Sequence, residues 1–215
     1  MPKLGTDAGR SASSQAASLA TAGARGDALA LPRLFPLAGR YGSGAGVRLT
    51  PIAQRMRVSL RTHESAREAA GEAIGLTLPT RPKTSVTAGS LSALWLGPDE
   101  WLLLDDASGN NGGSDGAALI RRLEHLPHLS AVDVSHRSVA VAVEGPAAEA
   151  VIAAGCPQDI RLATFPVGSA SRTILSKAEI VLWRRSETRF EIECWRSFAD
   201  YVWTFLSEAA RDPAV

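Results

Sequence analysis

Hydrophobic and polar positions change period along this chain, and the changes mark its elements. From Arg55 to Arg61 polar and apolar residues alternate, which predicts a half-buried strand with a basic outer face. Ala66, Ala69, Ala70, Ala73 and Ile74 then recur at helical spacing until Gly75 stops the run. Leu94-Trp95-Leu96 and Trp101-Leu102-Leu103-Leu104, separated by Gly97-Pro98-Asp99-Glu100, predict a hairpin with both limbs covered. Leu119, Ile120, Leu123 and Leu126 mark a helix that Pro127 ends. The glycine- and asparagine-rich run from Ser108 to Gly116 reads as exposed loop, and so does the proline-containing link from Gly75 to Ser90.

The stretch Ser130 to Gly155 organises the rest. Val132 and Val134 share one parity and Val139, Val141 and Val143 the other, so the side-chain phase switches across Ser135-His136-Arg137-Ser138. One flat strand cannot carry both phases. The pattern predicts a strand ending near Ser135, a corner or bulge carrying Asp133, His136 and Arg137, and a new strand to Glu144. Gly145-Pro146 starts a helix with Ala147, Ala150, Val151 and Ala154 on its buried stripe and Gly155 as its stop. After an irregular connector over 156–170, Thr173–Ser176, Ile180–Trp183 and the alternation of Phe190, Ile192 and Cys194 predict an antiparallel meander. Phe198, Tyr201, Val202, Phe205, Leu206 and Ala209 form the strongest helical stripe, opened by a Ser197/Asp200 pair resembling a capping box. Trp203 lies off that stripe and is a candidate partner surface.

This order predicts an α+β fold of two split βαββαβ (ferredoxin-like) modules with mostly antiparallel sheets, the second lacking a clear final strand. Residues 1–30 read as a disordered Ala/Ser-rich tail, 31–54 as an extended lead-in, 55–135 as the first module and 136–210 as the second, together one compact unit. The glycines between Gly42 and Gly46 read as a flexible turn, since no strand feeds them as a phosphate-cradling loop requires.

Composition removes several function classes. The 215 residues carry 23 basic and 22 acidic side chains, a net +1 that gives no field for nucleic acid or an anionic membrane. Cys156 and Cys194 are too few for a disulfide framework and lack metal-ligand neighbours, so both read as buried small hydrophobes. No apolar run is long enough to span a bilayer and no secretory leader is visible, which points to the cytoplasm.

Candidate chemistry is sparse. Asp133, His136 and Arg137 at the corner read first as a hydrogen-bonded structural turn, then as a ligand or subunit contact, and last as an acid/base site. His63-Glu64 reads as a helix cap or surface pair, His125 and His128 lack a third zinc ligand, and Arg184, Arg185 and Arg189 read as solvated hairpin ends. No serine elbow, acidic pair or phosphate loop is assembled. No catalytic, cofactor-binding or metal residue is assigned; Asp133, His136, Arg137 and Trp203 stand as candidate ligand or subunit contacts.

Val132-Asp133-Val134-Ser135-His136, Val143-Glu144-Gly145-Pro146-Ala147-Ala148 and Phe165-Pro166-Val167-Gly168 resemble the folate-binding fold of the glycine-cleavage aminomethyltransferases. Closer is the gamma-subunit family of heterotetrameric sarcosine oxidases. That resemblance adds Leu96-Gly97-Pro98-Asp99-Glu100-Trp101-Leu102, Asp133-Val134-Ser135-His136-Arg137, Gly155-Cys156-Pro157-Gln158-Asp159, Arg172-Thr173 and Arg196-Ser197-Phe198-Ala199-Asp200-Tyr201, in order, over about residues 47–209. It implies a complex that oxidises sarcosine to glycine, makes hydrogen peroxide, and passes the one-carbon unit to tetrahydrofolate or releases formaldehyde. It also implies alpha, beta and delta partner subunits that hold FAD, FMN, NAD and tetrahydrofolate, with none of these on this chain.

The chain departs from the aminomethyltransferases on the hairpin after Phe165-Pro166-Val167-Gly168. Those enzymes carry a Gly-Gly segment and a catalytic aspartate there, whereas this chain reads Ser176-Lys177-Ala178-Glu179-Ile180-Val181. Their following asparagine is missing near Cys194-Trp195-Arg196. The resemblance therefore implies a non-catalytic subunit. Two alternatives stay open: a free-standing folate-dependent transferase using Asp133 or Glu179 as base, and a regulatory module binding an anion at Arg137.

Overall fold

The computed structural model describes residues 35–107 and 116–213. In chain order these form β1 (Gly42–Gly44), β2 (Val47–Ile52), β3 (Met56–Thr62), α1 (Glu64–Ile74), β4 (Ser85–Ala88), β5 (Leu91–Gly97), β6 (Glu100–Asp105), α2 (Gly116–Leu123), β7 (Leu129–Asp133), β8 (Ser138–Glu144), α3 (Ala148–Ala153), β9 (Ala170–Leu175), β10 (Ala178–Ser186), β11 (Arg189–Trp195) and α4 (Ala199–Ala209). The strands make two antiparallel sheets, one of five strands ordered β4-β5-β6-β3-β7 and one of six ordered β1-β2-β8-β11-β10-β9.

Side-chain parity builds four layers. In β6, Trp101 and Leu103 join Ala70, Ile74, Leu119 and Leu123 beneath α1 and α2, while Leu102 and Leu104 face the other way. In β10, Ile180 and Leu182 pack with Val151, Ile152, Val202 and Leu206 under α3 and α4, while Trp183 faces the opposite side. Leu94, Leu102, Leu104, Val134, Ala170 and Trp183 make a third cluster where the two sheets meet. Each sheet is therefore covered on both faces, helix outside and sheet inside, which is why β6 and β11 are buried along most of their lengths.

The five-stranded sheet is one split βαββαβ unit, with the unit's first and third strands, β3 and β6, at its centre and β4 added at the edge. The second unit has β8 and β11 at its centre and β10 on one flank. Its fourth position is filled by β2, which comes from before the first unit. The final strand that seems absent after residue 195 is thus present, supplied by a segment that reads in sequence as a lead-in.

Four other local readings are corrected. The Gly42–Gly46 stretch is the tip of the β1–β2 hairpin, and its glycines let the backbone lie on α4: a Cβ on Gly44 would sit 1.7 Å from Ala210 O. β4 forms within the expected 75–90 loop, as a four-residue edge strand too short to show a period. The Ser197/Asp200 capping box does not form; a 3-10 turn over Arg196–Phe198 precedes α4, and Asp200 pairs with Arg40. The buried face of α4 is Ala199, Val202, Trp203, Leu206 and Ala210, rotated from the predicted stripe. Trp203 is 8% exposed because the β1–β2 hairpin covers it, so it has almost no surface for a subunit, whereas Phe198 and Tyr201 are each 38% exposed.

Candidate functional site at the double crossing

The chain passes between the sheets twice, and the two passages lie side by side. β2 leads to β3 through Ala53-Gln54-Arg55, and β7 leads to β8 through Val134–Arg137. Gln54 Nε2 donates to Ser135 O at 3.3 Å and lies 2.8 Å from His136 Nδ1. Arg57 N donates to Ser135 Oγ at 2.9 Å, and Val134 N donates to Arg57 O at 2.8 Å. The corner closes on itself: Ser135 N donates to Asp133 Oδ1 at 2.8 Å and Arg137 N to Val134 O at 3.0 Å. These bonds satisfy the backbone where the phase switch breaks the ladder.

The bend does not bring Asp133, His136 and Arg137 together. Asp133 sits opposite Val58, hence on the α-helical face of its sheet, and its carboxylate lies against the first residue of α2, where a Cβ on Gly116 would be 2.4 Å from Oδ2. His136 turns to Gln54, and the Arg137 guanidinium lies 5.3 Å from the Trp195 ring centroid. Glu179 shares the parity of Val181 and Trp183, on the opposite sheet's inner face, 4.0 Å from Arg172. No carboxylate pair is assembled from Asp133 and Glu179.

What does converge is a buried ionic cluster that the alternating patterns conceal. Two arginines of the predicted basic outer face point inward, Arg55 just before β3 and Arg57 within it, at 2% and 1% exposed against Glu191 and Glu193 of β11 at 3% and 4%, while Arg61 stays at the rim. Arg55 Nη2 lies 2.7 Å from Glu193 Oε1 and 2.8 Å from Glu191 Oε2, and its Nη1 lies 2.6 Å from Asp106 Oδ1. Arg57 Nε donates to Glu193 Oε2 at 2.6 Å. Arg185 bridges Asp106 and Glu191 from the rim at 3.2 and 3.4 Å. Burial alone would raise the Glu193 carboxyl, but Arg57 and Arg55 outweigh it and hold it below the usual range. Burial would likewise lower Arg55, and the Glu193 and Glu191 carboxylates reverse this. A second bridge joins the sheets where Glu100 of β6 meets Arg172 of β9 and Arg61 of β3, with contacts of 3.1 and 3.0 Å.

Arg184 is also corrected: it is 0% exposed, donates to Glu187 O at 2.6 Å and Glu149 Oε2 at 2.8 Å, and stacks 4.2 Å from the Phe190 ring centroid. A bulge between Arg184 and Ser186 accompanies the inward turn. Cys194 is 2% exposed, and burial with Glu193 beside it pushes its thiol up to about 12, so it is protonated at neutral pH and not a nucleophile. His63 caps α1 by accepting from Ser65 N. The Arg55-x-Arg57 pair at the start of β3 and the Glu191-x-Glu193 pair of β11 were the available signal for the cluster, since matched opposite charges at period two suit two facing strands.

The turn between β9 and β10 tests whether folate chemistry fits. Ser176 Oγ accepts from Tyr201 OH at 2.8 Å, and Ser176 N donates to Gly155 O at 2.8 Å, so the turn is tied to the helical side of the sheet. It presents Glu179 and no aspartate or amide.

The fold places the chain in a class first. It has the two-sheet aminomethyltransferase-like fold: the glycine cleavage system aminomethyltransferase T from Bartonella henselae aligns with a TM-score of 0.55 at 19% identity, covering 76% of this chain and 46% of that one. Residues 62–212 match the model of the sarcosine oxidase, gamma subunit family, and the chain belongs to that family. The sarcosine oxidase subunit gamma of Corynebacterium sp. (strain P-1) is 34% identical over 182 residues, 80% of this chain and 86% of its relative. The Arthrobacter sp. subunit gamma is 31% identical over 172 residues, 78% and 82% of the two chains. A chain of the heterotetrameric sarcosine oxidase from Corynebacterium sp. U-96, in complex with pyrrole 2-carboxylate, aligns with a TM-score of 0.73 at 27% identity, covering 83% of this chain and 94% of that one.

Proposed function

We propose that this chain is a non-catalytic structural subunit of a cytoplasmic sarcosine oxidase, packed against alpha, beta and delta subunits that hold FAD, FMN, NAD and tetrahydrofolate. The assembly oxidises sarcosine to glycine, reduces oxygen to hydrogen peroxide, and transfers the one-carbon unit to tetrahydrofolate or releases it as formaldehyde. The observation that carries the non-catalytic reading is the separation of Asp133 and Glu179 onto different faces of different sheets, each already engaged. Among the described residues no helix is long and apolar enough to cross a membrane.

The subunit contact we propose is the β11–α4 junction. Trp195, Phe198 and Tyr201 are 45%, 38% and 38% exposed, with Arg137 over Trp195, and Val132 is 52% exposed on β7. Aromatics and arginine are the residues enriched in interface cores. Co-expression with the neighbouring genes tests the reading: the chain should elute with the flavin-containing subunits, and recovery as a separate protein that oxidises an amine or retains colour rejects it. Micromolar binding of tetrahydrofolate to the chain alone, lost on Asp133→Asn, would instead support a free-standing transferase.

A further inference from the structure

Five aromatic side chains are 38% exposed or more, and all five lie in two short segments: Phe35 and Tyr41 before β1, and Trp195, Phe198 and Tyr201 at the β11–α4 junction. The other seven rings of the chain are buried or half-buried. The two segments are some 160 residues apart in sequence and meet in space, because Arg40 pairs with Asp200. Phe35 and Arg40 also wall a half-open apolar recess with Leu37, Ile52 and Val139. Exposed rings gathered at one place, on a chain that covers its others, mark a surface shaped for contact with protein.

Charge selects the occupant. Arg40 and Asp200 neutralise each other, and the other charged side chains of this face are basic: Arg137 over the Trp195 ring, Arg196, and Lys177 beside Ser176, which accepts from Tyr201 OH. The neighbouring Arg61, Glu100, Arg172 and Glu179 balance one another. Residues 1–34, which lead to Phe35, carry Lys3, Arg10, Arg25 and Arg33 against Asp7 and Asp27, a net +2 of the same sign as the face. A second copy would likewise meet it with like charge. Three cations on a chain of net +1 give too little field for nucleic acid or an anionic bilayer. An acidic protein surface is the occupant that complementarity favours.

We infer that Phe35, Tyr41, Trp195, Phe198 and Tyr201 form one continuous docking face for an acidic surface of another subunit, whose carboxylates meet Arg137 and Lys177. The face extends the proposed β11–α4 contact across the segment before β1, and it rests on the reading of the chain as a subunit.

Carbodiimide, which joins a lysine amine to a carboxylate in contact with it, tests the face in the assembly purified with its co-expressed subunits. The lysines of the chain are Lys3, Lys83 and Lys177, and peptide mass spectrometry should find Lys177 joined to an aspartate or glutamate of another subunit. Tyr41→Ala removes a ring that is 66% exposed, and Arg137→Glu/Lys177→Glu reverses the charge of the face. Each should weaken retention of the chain by its partners at least roughly tenfold, followed by mass photometry on dilution. Arg81→Glu/Arg122→Glu makes the same change of charge at exposed positions elsewhere and should leave retention unchanged. If Arg137→Glu/Lys177→Glu does not accumulate, Tyr41→Ala decides alone. An assembly that holds both face variants as tightly as the unmodified chain overturns the inference, and so does Lys177 joined to Asp7 or Asp27 instead, which would put residues 1–34 on the face. Failure of the unmodified chain to join any subunit is a separate result and rejects the subunit reading itself.

Discussion

Arg57 Nε reaches Glu193 Oε2 at 2.6 Å across the seam between the sheets, with side chains 1% and 4% exposed. One residue comes from the centre of each sheet, so the pair and its neighbour Arg55 define how the two units register. A buried pair of this kind adds little net stability over an apolar replacement, but breaking it leaves a stranded charge. Glu193→Gln should therefore cost about 3–5 kcal/mol, because two arginines lose their shared anion. Adding Arg57→Met should recover part of that loss, and a double-mutant cycle by urea denaturation measures it. Strictly additive costs would contradict the coupling.

The same carboxylate gives the chain an acid limit. The folded Glu193 carboxyl is held below its unfolded value of about 4.3, so its contribution is complete above that value and lost as pH falls towards the folded one. Stability should decline on acidification below about pH 4–5, and Glu193→Gln should flatten that decline. An acid profile in the variant with the slope of the unmodified chain would rule this out.

Gly44 is where β1 touches the end of α4. Gly44→Ala places a Cβ 1.7 Å from Ala210 O, a backbone atom that cannot move without displacing the helix end. A loss of about 2–4 kcal/mol is expected, with a fall in Tm of several degrees by calorimetry. A change of under about 0.5 kcal/mol would mean that the hairpin rests elsewhere.

Trp203 and Trp195 should separate folding from assembly. Trp203→Ala empties a site beneath β1 and should cost about 3–5 kcal/mol of stability. Trp195→Ala changes a ring that is 45% exposed, so stability should hold while retention by the co-expressed subunits in size exclusion weakens. The opposite pattern would exclude the β11–α4 junction as the contact.

Local patterning was enough for most elements. Alternation and helical spacing place β3, α1, β5, β6, α2, β7, β8, α3 and the β9–β11 meander, because each buries one regular face and that regularity is written in neighbouring residues. The corner at Asp133–Arg137 was visible as a switch of phase, and the family resemblance ran through the same residues.

Only tertiary structure decided what faces what. Arg55, Arg57, Glu191 and Glu193 look solvent-exposed in sequence because alternation marks one face apolar and cannot say that the polar face meets another sheet. The same limit hid Arg184, and it misplaced Trp203, whose ring lies against Gly42 of a hairpin some 160 residues earlier in the chain. β2 could not be recognised as the missing fourth strand of the second unit, since its partner β8 lies beyond the whole first unit. Periodicity records which side of an element is buried; the identity of the surface that buries it depends on long-range pairing, which no local window contains.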